Sequence, residues 1–77
     1  MNATFFKEAI GLDNEYIYVE LHSDLKGGWE VIAKTGKRQG REHAKELFVR
    51  RAKTFSKGEE IFHSIREDYR RRKWKEL

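Results

Sequence analysis

Residues 16–22, YIYVELH, and residues 29–34, WEVIAK, decide the fold of this chain. In both stretches every second side chain is apolar, a period typical of a β-strand with one buried face. Residues 23–28, SDLKGG, separate the two stretches and end in two glycines, which permit the positive φ angles of a chain reversal. The pattern predicts an antiparallel β-hairpin.

The apolar residues before this hairpin recur with a helical spacing. They are Phe5, Phe6, Ala9 and Ile10, which would share one face of a short helix. Asn2 or Thr4 can cap the start of that helix, and Gly11 can take the left-handed conformation that ends it. We therefore predict a short N-terminal helix.

After the hairpin the period changes again. Lys37–Gly40 forms a basic loop or a short third strand, and from Arg41 a helical stripe follows. Its members are Ala44, Leu47, Phe48, Ala52 and Phe55. Ser56–Glu59 matches a capping box, so a second helix is expected to begin there and to run to about Lys75. Its stripe is Ile61, Phe62, Ile65 and Tyr69. One continuous helix is the alternative.

The predicted architecture is α+β: a short N-terminal helix, an antiparallel β-hairpin, then two C-terminal helices packed on the small sheet (α-β-β-α-α). All 77 residues would form a single small domain. A hairpin alone is marginal in water, so the helical stripes should cover its apolar face. The expected core is Ile17, Val19, Leu21, Trp29, Val31, Leu47, Phe48, Phe55, Phe62 and Ile65.

Composition excludes several classes of protein. The chain has no Cys, so it has no disulfide framework, thiolate zinc site or cysteine nucleophile. Its apolar runs are too short for a membrane span, and a cytoplasmic protein without membrane contact is expected. The three His are scattered and the Ser residues lack a base partner, so we expect no metal, no cofactor and no enzymatic activity.

The net charge of +4 is unevenly distributed. The first 25 residues carry one base and five acids, whereas residues 26–57 carry ten bases and three acids. A basic block of this kind favours polyanions or acidic protein surfaces as partners, although it also serves solubility.

Three groups of side chains are candidates for anion binding. Lys37, Arg38 and Arg41 surround a glycine at a predicted helix start, where free amides favour a phosphate. Arg50, Lys53 and Lys57 form a basic stripe, and Arg66, Arg70 and Lys73 repeat its spacing. The two stripes would track a phosphate backbone if they face the same way, and are otherwise ordinary solvated helix faces.

Two aromatic features are less specific. Tyr16 and Tyr18 share the second face of the first strand, where they could stack bases of a single strand or be covered by the N-terminal helix. Trp74 lies in a basic run, RRRKWK, that could bind a membrane surface or a partner groove. More often such a Trp folds back on its own domain.

The order of hairpin, basic loop and helix, with Gly28-Trp29-Glu30-Val31 opening the second strand, resembles the arm-site DNA-binding domains of phage integrases. The resemblance covers residues 16–52. It implies a small three-stranded sheet, backed by a helix, that contacts DNA.

The sequence thus leaves two functional hypotheses. The first is a small protein that binds DNA or RNA, or an accessory protein of nucleic-acid processes. It would contact the phosphate backbone through the Lys and Arg residues named above and the run from Arg70 to Lys73. The second is a protein-interaction module, a regulator or inhibitor of a larger complex, whose bases face an acidic protein surface. A homodimer is compatible with both. A continuous basic face would favour the first, and bases interleaved with carboxylates the second.

Overall fold

The computed structural model describes residues 1–7, 15–37 and 45–76, and within them one antiparallel sheet carries one helix on one face. The elements are β1 (Asn2–Lys7), β2 (Glu15–Ser23), β3 (Trp29–Lys37), β4 (Lys45–Ala52), α1 (Phe55–Arg71) and β5 (Lys75–Glu76). The strand order is β4-β3-β2-β1-β5. The predicted α-β-β-α-α architecture is therefore wrong.

The hairpin prediction is confirmed, since β2 and β3 pair in antiparallel register with Leu21 opposite Val31. The turn between them is built on Asp24. Its Oδ1 accepts hydrogen bonds from the backbone N–H groups of Lys26 at 2.8 Å and Gly28 at 2.7 Å. Gly27 takes a φ of +86°, which favours a residue without a Cβ.

The predicted N-terminal helix is wrong, because residues 2–7 form β1 and pair with β2. Phe5 lies opposite Ile17 and is fully buried beneath α1, whereas the adjacent Phe6 points to the other face. Pairing with an already alternating strand satisfies the backbone of β1 and buries Phe5, and this outweighs a weak helical pattern. The second half of the predicted helix, residues 8–11, lies outside the described residues.

The helix predicted from Arg41 to Phe55 is also wrong, because residues 45–52 form β4. This strand pairs with β3, with Phe48 opposite Ala33 and Glu46 opposite Lys34. Leu47 is the extra residue of a β-bulge, which accounts for the irregular apolar spacing in this stretch. Residues 38–44, where a basic loop or a third strand was expected, lie outside the described residues.

A single helix, α1, follows β4, so the alternative of one helix through the whole region is wrong as well. Thr54, and not Ser56, caps α1: its side chain accepts a hydrogen bond from the Lys57 N–H at 3.2 Å. The helix ends at Arg71 in a Schellman motif. Lys73 has a φ of +66°, and its N–H donates to the Arg70 carbonyl. The Trp74 N–H donates to the Tyr69 carbonyl.

The core lies between α1 and the covered face of the sheet. Its buried members are Ala3, Phe5, Ile17, Val19, Leu21, Val31, Ala33, Phe62 and Tyr69. Of the expected core residues, Leu47 and Phe55 are wrong, since they remain 46% and 43% exposed. Trp29, Phe48 and Ile65 pack on the core in partly buried positions. Trp74 folds back on its own domain, its ring 5.9 Å from that of Tyr69.

Candidate interaction groove

A groove of about 690 Å³ lies between β4 and α1 and is called here the β4–α1 groove. It forms because α1 leaves the end of β4 after a two-residue turn and runs back beside it. Apolar side chains make up its floor: Phe48, Ile61, Ile65 and Tyr69. Polar and charged side chains form its walls: Arg50, Lys57, Glu60, Ser64, Asp68, Arg71 and Arg72.

One end of the groove combines two bases with one acid. Arg50 lies near the end of β4 and Lys57 in the first turn of α1. The Lys57 Nζ is 3.2 Å from Glu60 Oε2. The Arg50 guanidinium sits 4.8 Å from the centre of the Phe48 ring, a cation–π contact. Arg50 therefore faces the groove without a carboxylate partner among the described residues.

The other end repeats this composition. Arg71 and Arg72 close the helix, and Arg72 Nη2 lies 2.9 Å from Asp68 Oδ2, an i,i+4 ion pair on α1. The Arg72 guanidinium also lies 5.9 Å from the centre of the Tyr69 ring. Burial raises the pKa of Tyr69 above its usual range, so its hydroxyl stays neutral at physiological pH.

The second basic stripe expected from the sequence lies elsewhere. Arg66 and Arg70 occupy the flank of α1 that faces β5, and both contact Glu76 there. Arg70 Nη1 also lies 3.4 Å from Glu67 Oε1. Lys73 is outside the helix altogether, at the left-handed position of the Schellman motif. The two predicted stripes therefore do not form one surface.

The remaining predicted anion-binding residues are dispersed. Lys53 is exposed in the turn between β4 and α1 and borders a small depression with Asp24 and Arg51. Lys37 is the last residue of β3. Arg38 and Arg41 lie outside the described residues, so the phosphate site predicted there stays a prediction.

Tyr16 and Tyr18 lie on the sheet face opposite α1. The expectation that an N-terminal helix covers them is wrong, because that segment is β1 in the same sheet. The Tyr16 ring lies directly over Gly36, where an added Cβ would fall 2.5 Å from the Tyr16 hydroxyl oxygen. Burial is the largest cause that raises the pKa of Tyr18. Base stacking on this face stays a prediction.

Strand β4 forms one edge of the sheet as far as the described residues define it. Its partner on the inner side is β3, and two of its side chains on the α1 face, Phe48 and Arg50, line the β4–α1 groove. An edge strand exposes backbone N–H and C=O groups that can pair with another extended chain. Arg50 Nη1 donates to one carbonyl of β4, that of Val49, at 3.3 Å. The groove beside the edge combines an apolar floor with charged ends.

From the sequence, Phe48 and Ile65 were expected in the core. Arg50, Lys57 and the run from Arg70 to Lys73 were expected to bind anions, but not as the walls of one groove. A usable signal was present, because Lys57 and Arg71 are 14 positions apart, close to four helical turns. Such a spacing puts the two bases on the same flank of one helix. The alternation of Phe48, Arg50 and Ala52 on β4 was obscured by the helical spacing of neighbouring apolar residues.

Comparison with known proteins adds no relative to this description. No protein-family model matches the chain, and neither a curated protein nor a solved structure matches it significantly. The segment that resembles integrase arm-site domains contains strand β4 where that resemblance implied a helix. In the part of the chain that the structure describes, no helix is both long and apolar enough to cross a bilayer.

Proposed function

We propose that this protein is a protein-interaction module that binds an extended segment of a partner polypeptide along β4, in the β4–α1 groove. The observation that carries this proposal is the position of the groove directly beside a sheet edge. Main-chain hydrogen bonds to such an edge provide affinity, and a groove next to it receives alternate side chains of the added strand. A cytoplasmic location stays a prediction.

The charge arrangement supports a polypeptide over a phosphate backbone. Lys57, Arg66, Arg70 and Arg72 each contact a carboxylate of the chain itself. Glu60 and Asp68 line the groove between its bases, where they would repel a continuous row of phosphates. Bases interleaved with acids suit a partner that carries a few placed charges.

Nucleic-acid binding is the second candidate function. It is favoured by residues 45–57, which carry five bases and one acid: Lys45, Arg50, Arg51, Lys53, Lys57 and Glu46. Such a surface could contact a short stretch of phosphate backbone with little sequence preference.

The test presents both kinds of partner to the full chain. A random-peptide library is panned on the immobilised protein, and each selected peptide is titrated by fluorescence anisotropy. Single- and double-stranded DNA and RNA are titrated in parallel at about 50 and about 200 mM salt, where about six phosphate contacts would change affinity roughly a thousandfold. We expect selected peptides to bind and oligonucleotides to bind only weakly at the lower salt.

Amide hydrogen exchange locates the bound peptide. We expect slower exchange at β4 amides and unchanged exchange in β5, at the opposite edge. Only every second N–H group of an added strand faces its neighbour. Methylation of the odd-numbered or of the even-numbered backbone nitrogens of a selected peptide should therefore lower affinity in one case and not in the other. Failure to select any peptide that protects β4 would overturn the proposal, and so would steeply salt-dependent oligonucleotide binding that a selected peptide cannot displace.

A further inference from the structure

Among the described residues that line the β4–α1 groove, each end carries one positive charge in excess. Arg50 and Lys57 stand against Glu60 at one end, and Arg71 and Arg72 stand against Asp68 at the other. Each end can therefore accept one further carboxylate. Arginine is suited to this role because its planar guanidinium binds a carboxylate through two parallel hydrogen bonds.

The separation of the two ends fixes the spacing of those carboxylates. Lys57 and Arg71 lie on one flank of α1, 14 positions apart, which corresponds to about 21 Å at the rise of an α-helix. An extended strand covers this distance in about six residues at roughly 3.4 Å each. An even spacing also keeps both side chains on the same face of the strand.

The floor between the two ends is apolar. Phe48, Ile61 and Ile65 are partly buried and line the groove, so a bound strand can cover them with apolar side chains. In a strand, every second side chain points to the same face. The side chains at alternate positions between the two carboxylates therefore point towards the groove together with them.

On the basis of the proposed function, we infer that the partner segment is an acidic extended peptide. It carries two carboxylates about six residues apart, with apolar side chains at the alternate positions between them. Arg50 with Lys57 binds one carboxylate, and Arg71 with Arg72 binds the other.

A second copy of this chain does not fit that description. Residues 45–57 of two copies would bring five bases and one acid against an identical set, and like charges across a strand pair are unfavourable. Strand β4 itself contains a single carboxylate, Glu46, on the sheet face opposite the groove. The occupant is therefore not β4 of a second copy, and we assign the groove to a different polypeptide.

The probe for this inference is the labelled peptide Asp-Thr-Val-Thr-Val-Thr-Asp, in which both Asp and both Val side chains share one face. Its control is the isomer Asp-Thr-Val-Thr-Val-Asp-Thr, which has the same charge and composition but turns the second Asp to the other face. We expect the isomer, and each Asp-to-Asn peptide, to bind about tenfold more weakly.

Two variants assign the ends. Arg50→Gln and Arg72→Gln should each lower the affinity for the probe. In each variant, replacing one of the two Asp residues of the probe by Asn should have no further effect, and that Asp residue should differ between the two variants. Lys75→Gln on β5 removes the same charge at the opposite edge of the sheet and should leave the affinity unchanged.

The outcomes separate the inference from the function on which it rests. Equal binding of probe and isomer, or no binding of either, overturns the inference, whereas peptides selected by panning that protect β4 would still support the proposed function. Sedimentation equilibrium provides a further check, since a stable dimer formed through β4 would place a second copy in the groove and overturn the inference.

Discussion

Arg66 on α1 and Glu76 on β5 form a two-point ion pair: Arg66 Nη2 donates to Glu76 Oε2 at 2.7 Å, and its Nε donates to Oε1. β5 has only two residues and pairs with β1 at Phe5 and Phe6, and this ion pair ties it to α1 as well. The hydrogen bond from Arg66 is also the largest cause that lowers the pKa of Glu76 below its usual range.

The pH dependence of stability should therefore include a contribution from Glu76. A carboxyl group with a lowered pKa in the folded state stabilises the fold above its unfolded pKa of about 4.3, and this contribution is lost as the pH falls through the folded value. We expect Glu76→Gln to be less stable than the wild type at neutral pH, with the difference vanishing in acid. Urea unfolding over a pH series measures it.

The control for this experiment is Glu46→Gln, a charge change at an exposed position of β4. Asp24 also has a lowered pKa, mainly because the Gly28 N–H bonds to it, so some acid sensitivity will remain in Glu76→Gln. An unchanged difference between the wild type and Glu76→Gln at every pH would contradict the ion pair.

Phe5 and Leu47 exchange the roles that the sequence pattern gave them. The Phe5 ring is fully buried and lies against Tyr69, with ring centres 5.5 Å apart. Phe5→Ala should therefore lower the free energy of unfolding by about 3–5 kcal/mol. Leu47→Ala, at an exposed bulge position, should change stability by about 0.5 kcal/mol or less. Equal losses in denaturant unfolding would show that β1 does not cover the core as described.

Gly58 lies in α1, where glycine is unfavourable for a helix by about 1 kcal/mol relative to alanine. An added Cβ would nevertheless fall 2.8 Å from Leu21 Cδ1 in the core. Overpacking costs about 1–3 kcal/mol, so we expect Gly58→Ala to be destabilising.

Shortening Leu21 should reverse the sign of that effect. In a Leu21→Val background the contact with the new methyl group is relieved, and Gly58→Ala should then stabilise the protein relative to Leu21→Val alone. A double-mutant cycle by thermal unfolding measures this coupling. Additive effects would mean that the space beside Gly58 is not limited by Leu21.

Lys73 occupies the left-handed position that follows the helix, where glycine is preferred. Removing the Cβ relieves about 1–2 kcal/mol of backbone strain, partly offset by the greater freedom of glycine in the unfolded chain. We expect Lys73→Gly to stabilise the protein by up to about 1 kcal/mol, whereas Lys73→Ala should not. Loss of stability in Lys73→Gly would contradict the Schellman ending.

The hairpin could be predicted from the sequence because both of its strands alternate without interruption and the turn contains two glycines. Strand β1 could not, because Phe5 and Phe6 are adjacent and point to opposite faces. Two adjacent apolar residues fit one face of a helix as well as they fit a strand. Its structure is decided by pairing with β2, a tertiary contact that no local pattern contains.

Strand β4 was missed for two physical reasons. The bulge at Leu47 breaks its alternation, and the groove leaves Arg50 at a position where a covered strand would carry an apolar side chain. Arg50 at this position is also part of the candidate site. The residue that hid the strand in the sequence is therefore one that marks the site. The pairing of Arg66 and Arg70 with Glu76 could not be predicted either, because it depends on the position of β5 beside α1.

The unequal edges of the sheet determine how many neighbours each molecule can take. Sheets that are bare on both sides can add chains in two directions and grow into fibres. Here the short strand β5, held by Arg66, pairs with Phe5 and Phe6 of β1, whereas no described strand pairs with the outer side of β4. Among the described residues, the sheet therefore offers a long edge for strand addition only at β4, and an added chain would extend it in one direction.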